Sequence, residues 1–87
     1  MNALPPQPAL NRLFRMQWED AQQAHVLLYP EGMVRLNRSA AEILKRCDGA
    51  TGIDAIIDSL ERDFKTEGLR AEVLAFLGHA NDKGWLA

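Results

Sequence analysis

Tyr29-Pro30-Glu31-Gly32 stands between two short apolar runs, HVLLY at residues 25–29 and MVRL at residues 33–36, and it constrains the fold more than any other stretch. Proline presets the first central torsion of a type I turn, and glycine is expected in the left-handed position that follows. The two runs therefore pair as a hairpin. In the second run Val34 and Leu36 fall on one face and Met33 and Arg35 on the other, the period of a strand with one side buried. Upstream, residues 13–18 alternate in the same way, Phe14, Met16 and Trp18 against Arg15 and Gln17, until EDAQQ breaks the pattern. Three strands in a meander follow, with residues 25–29 in the middle.

Beyond Leu36 the period changes to that of a helix. Asn37 and Ser39 are both good caps, and Ser39 with Glu42 has the Ser-x-x-Glu spacing of a reciprocal capping box. Ala40, Ile43, Leu44 and Cys47 then share one helical face, and Asp48-Gly49 ends the helix. A second helix opens with Thr51 as cap and Asp54 against the helix dipole, with Ile53, Ile56, Ile57, Leu60 and Phe64 as its stripe. The third starts near Leu69, repeats Leu69, Val73, Phe76, Leu77 and Ala80, and stops at Lys83-Gly84, leaving Trp85 and Leu86 to fold back onto the body. The opening MNALPPQPAL places three prolines in four residues and can donate few backbone hydrogen bonds, so residues 1–10 are expected to be a flexible tail. Residues 11–87 then form a single domain. Its class is α+β, a three-stranded antiparallel meander followed by three helices, most like a winged helix-turn-helix.

Such a fold raises DNA binding, and charge argues against it. The formal net charge is -2, which leaves no broad positive field for a phosphate backbone. The third helix sets Arg70 and Lys83 against Glu72 and Asp82, and the wing, PEG, is acidic. A winged-helix DNA-binding regulator stays as the alternative, and a small structural subunit joined through its edge strand as a third reading. Chemistry on the chain itself is not expected. Cys47 is the single cysteine, so no intramolecular disulfide can form, and its place in an apolar pattern makes it a core residue in a reducing compartment. His25 and His79 have no nucleophile beside them, and Glu42, Asp54, Asp58, Glu61 and Asp63 fit caps or solvent-facing helix positions. No ligand cluster suggests a metal, and the scattered glycines form no phosphate loop. No apolar run approaches the ~20 residues of a membrane span, and a cytoplasmic protein is expected.

The block HVLLYPEGMVRLNRSAAEILKRCDG, with FRMQWEDAQ before it, resembles the centre of the PqqD family, and the resemblance extends over residues 9–86. It implies a peptide chaperone of pyrroloquinoline quinone (PQQ) biosynthesis, a RiPP recognition element for a ribosomally made precursor. That protein binds PqqA and presents it to the radical S-adenosylmethionine (SAM) enzyme PqqE, which crosslinks a glutamate to a tyrosine. The iron–sulfur clusters belong to that enzyme, so no cofactor is implied here. The state is expected to be a monomer or a homodimer, with neither nucleic acid nor membrane as partner. The third strand of a meander lies at an edge, where free amides and carbonyls can take up an extended peptide as a fourth strand. The resemblance places that peptide between the third strand and helix three. The expected peptide-binding residues are Met33, Val34, Arg35 and Leu36 on the strand and Arg70, Val73, Leu74 and Leu77 on the helix. Leu74 is offset from the main stripe, and Arg35 and Arg70 are candidates to meet acidic residues of the peptide.

Overall fold

A computed structural model describes residues 3–87; Met1 and Asn2, the first part of the expected tail, lie outside the described residues. Three strands, β1 (Arg15–Glu19), β2 (Ala24–Tyr29) and β3 (Gly32–Arg35), are followed by α1 (Arg38–Lys45), α2 (Ile53–Asp63) and α3 (Arg70–Asp82). The sheet is antiparallel in the order β1-β2-β3. Met16, Leu27 and Val34 stand in one cross-strand row, and that face meets the helices, with Leu27 completely buried. The expected α+β order of meander and helices is thus the observed one.

The hairpin differs in detail. Tyr29 pairs with Gly32, so the loop is Pro30-Glu31 alone and Gly32 is already strand. Its φ is not left-handed, and a Cβ there would meet the Tyr29 hydroxyl at 3.5 Å, an ordinary contact. The turn therefore rests on proline and the two-residue loop length, not on glycine. In the β1–β2 connection it is Gln23 that takes a positive φ of 50°, held by its side-chain amide donating to the Asp20 carbonyl at 2.8 Å.

Helix entries also sort themselves by tertiary context. Asn37 caps α1, its Oδ1 accepting from the Ala40 amide at 2.8 Å, so Ser39 lies inside the helix and no Ser39–Glu42 box forms. Glu42 faces Lys45 and Arg46 instead. Thr51 does not cap α2: its hydroxyl donates to Asp48 at 3.0 Å, and Gly52 holds the N-cap position. Asp48 also accepts from the Ala50 and Thr51 amides, organising the whole connection after α1. Glu61, expected at the solvent, accepts from the Leu69 amide at 2.9 Å and so satisfies a free donor at the start of α3. Phe64 leaves the core stripe because α2 ends just before it; the residue is 39 % exposed, with the Arg38 guanidinium 5.3 Å from the centre of its ring.

The proline-rich segment is the largest correction. Proline removes donors and keeps acceptors, and here the acceptors are used: the Pro8 carbonyl takes the Gly49 amide at 3.0 Å and the Ala9 carbonyl takes the Ala87 amide at 2.8 Å. Leu10 bridges Leu86, Asn11 donates to the Trp85 carbonyl at 2.7 Å, and Pro8 is buried. From Ala3 onward the segment is a strap joining the first residues to the last, not a solvated tail. Gly49, with φ +79°, makes room for it, since a Cβ there would come within 3.3 Å of the Ala9 methyl. Trp85 and Leu86 fold back as expected, Trp85 edge-on to His79 with ring centres 5.6 Å apart. Among the described residues no helix is long and apolar enough to cross a membrane.

Candidate functional site

One hydrogen bond sets the chemistry of the sheet edge. Leu36 donates to the His25 carbonyl at 2.9 Å, continuing the β2–β3 register beyond Arg35. Bonded and non-bonded pairs alternate along an antiparallel ladder, so Gly32, Val34 and Leu36 direct their backbone groups at β2. Met33 and Arg35 direct theirs away from it. Because β3 ends the sheet, those outward amides and carbonyls face an open edge among the described residues. The side chains alternate too: Met33 (45 % exposed) and Arg35 stand on the outer face, while Val34 packs on the core and Leu36 lies in it.

On α3 the four expected site residues divide further. Val73 and Leu77 are buried in the same core cluster that holds Leu36 and against which Val34 packs. Leu36, Val73 and Leu77 therefore cannot offer free side chains to a ligand; helical and strand periodicity commit them to the protein's own interior. Leu74 is half-buried and is not among the partly buried residues that pack on this cluster. Arg70 is exposed and already paired with Asp54 at 2.9 Å, both side chains largely in water, where such a pair contributes little. The reachable set is the Met33–Arg35 edge, Leu74 and, weakly held, Arg70.

Two hollows flank α1, and neither was expected. One, of about 680 Å³, lies between the β1–β2 end of the sheet and the first turns of α1, with Trp18, His25, Arg35, Arg38, Ala41 and Glu42 in its walls. The other, of about 230 Å³, is apolar and lies between α1, the end of α2 and the start of α3, with Ile43, Leu60, Phe64 and Leu69 in its walls. The available signal was Trp18, a tryptophan on the inward side of a strand beyond the reach of any core stripe.

At the opposite end of α1, Arg46 binds the helices together. It donates to Ser59 Oγ at 3.0 Å, to the Glu42 carboxylate at 3.0 Å and to Asp63 at 2.7 Å. The Arg46 hydrogen bond holds the Glu42 carboxyl below its ordinary range, against the opposing effect of partial burial. Cys47 is buried next to it, and burial, then the Asp48 charge, pushes its thiol up to about 11. A thiol so protonated is a poor nucleophile at neutral pH.

Comparison with known proteins agrees with this architecture. Residues 24–86 match the family model for Coenzyme PQQ synthesis protein D (PqqD). A PqqA binding protein of Azotobacter vinelandii is 51 % identical over 80 residues, covering 91 % of this chain and 87 % of that protein. One of Methylococcus capsulatus is 48 % identical over 77 residues, covering 88 % and 83 %. The solution structure of the PqqD truncation of Methylobacterium extorquens PqqCD, described as a functional, stand-alone RiPP recognition element, superimposes with a TM-score of 0.79 at 27 % identity over 98 % of this chain and 95 % of that one.

Proposed function

The chain belongs to the PqqD family, and from that premise we propose that it binds the precursor peptide PqqA by strand addition to β3 and presents it to the radical SAM enzyme PqqE. The observation that carries the reading is the open β3 edge, with the backbone groups of Met33 and Arg35 turned outward. Main-chain pairing along the edge supplies affinity, since each added hydrogen bond replaces one to water. Apolar peptide side chains gain further burial against Met33 and Leu74. Leu36, Val73 and Leu77 support the groove from beneath, and Arg70 exchanges Asp54 for a carboxylate of the peptide.

The role is to bind and present, not to catalyse, in line with the buried, protonated Cys47 thiol. Residues 3–87 act as one peptide-binding unit, strap included, and the partner enzyme supplies the redox chemistry.

Heteronuclear shift mapping with the precursor peptide tests this directly. Perturbations gathered on residues 33–36 and 69–77 support strand addition, and a silent spectrum at saturating peptide sinks it. Leu74→Asp would set an unpaired charge in the apolar groove and weaken binding about tenfold or more, with helix content unchanged. Addition of PqqE to the labelled complex then separates presentation, a slowly tumbling ternary species, from simple peptide storage.

A further inference from the structure

The larger hollow beside α1 is not needed for strand addition, yet it begins where β3 ends. Arg35 is the last residue of β3 and lines it, as do Leu36, Asn37 and Arg38 immediately after. A peptide strand running along the β3 edge past Arg35 arrives at its mouth. Resting on the strand-addition reading, we propose that this hollow is a second subsite, which takes an acidic residue of the same peptide between Arg35 and Arg38 and an apolar side chain against Trp18.

Charge selects the occupant. Arg35 has no carboxylate within ion-pair reach among the described residues, and Arg38 has only the Phe64 ring, 5.3 Å away. The one carboxylate in the lining, Glu42, is neutralised by Arg46 at 3.0 Å and Lys45 at 3.2 Å. In a chain of net charge -2, two arginines with no carboxylate partner among the described residues therefore line a single concave surface. A carboxylate offers both of them charge-assisted hydrogen bonds.

Trp18 supplies the other half. It is 49 % exposed, and its ring is held in place: the indole N–H donates to Asp20 at 2.7 Å, and the ring meets His25 edge-on at 5.2 Å. A large aromatic surface fixed in advance costs little entropy when a ligand covers it. Asp20 is committed to the indole and stands outside the lining.

The indole N–H resonance of Trp18, assigned with Trp18→Phe, reports on this subsite, and the Met33 and Arg35 amides report on the edge. The precursor peptide is titrated in its natural form and with every Asp and Glu replaced by Asn and Gln. The expected result is a shift of the Trp18 indole together with the edge amides. In an Arg70→Ala background, which takes the Arg70 pairing out of the comparison, Arg35→Gln with Arg38→Gln raises Kd about tenfold, the neutralised peptide shows the same rise with both arginines intact, and the two losses do not add. Arg35→Lys with Arg38→Lys recovers part of the affinity, and circular dichroism confirms that each variant is folded. Edge amides that shift while the Trp18 indole stays still, or losses that simply add, overturn the subsite and leave strand addition standing. Silence at both reporters overturns both.

Discussion

The α1–α2 junction and the β3 edge treat their polar groups in opposite ways. At the junction Arg46 answers Ser59, the Glu42 carbonyl and Asp63, and shares the Glu42 carboxylate with Lys45. At the edge, the outward amides and carbonyls of Met33 and Arg35 have no partner among the described residues. A domain of this length has little stability to spare, so closure where the helices must hold and openness where a guest can bind is a division of labour. The open edge is short, and Arg35 guards it with charge, both of which limit self-association.

The contrast breaks most sharply at two neighbours on α3. Leu77→Ala empties a site that is 0 % exposed and should cost about 2–5 kcal/mol in chemical denaturation. Leu74→Ala should cost under about 1 kcal/mol and lower peptide affinity instead. Equal destabilisation by the two would show that Leu74 is core and not part of a groove.

On β3 the same opposition separates adjacent residues. Val34→Pro removes an amide that bonds β2 and should destabilise by more than about 1 kcal/mol. Met33→Pro removes an outward amide, as edge prolines do, and should leave stability closer to that of the parent while weakening the peptide several-fold. A reversed order would mean that the hydrogen-bond phase assigned to β3 is wrong.

Arg46→Met tests the closed region, with an expected loss of about 1–2 kcal/mol. It should also change the acid limb of stability. The folded-state pKa of Glu42 is depressed below 4.5, so its contribution is complete above that value and is lost as pH falls through the lower folded value. Denaturation midpoints measured between pH 6 and pH 3 should therefore fall less steeply in the variant. The smallest effect is expected at Arg70→Ala, within about 0.5 kcal/mol, because its pair with Asp54 is solvated.

Much of this molecule can be read directly from its residues. The change from a two-residue to a helical period after Leu36 dictated the meander and the three helices, and the stripes through Ile43, Ile56, Leu60 and Leu77 marked the core. The open edge at Met33 and Arg35 and the offset of Leu74 were legible for the same reason: each depends on neighbours two to four positions away. Even Leu36 was readable as core, since alternation puts it beside Val34 on the buried face. The rest needed the folded chain. Pro8 and Ala9 find their donors at Gly49 and Ala87, Thr51 is taken by Asp48 as Glu61 is by Leu69, and the hollow brings Trp18 of β1 opposite Arg38 of α1. Periodicity is a property of adjacent residues and is written along the chain. The choice among competing hydrogen-bond partners, and the shape left between elements, depends on groups that meet only once the chain has closed upon itself.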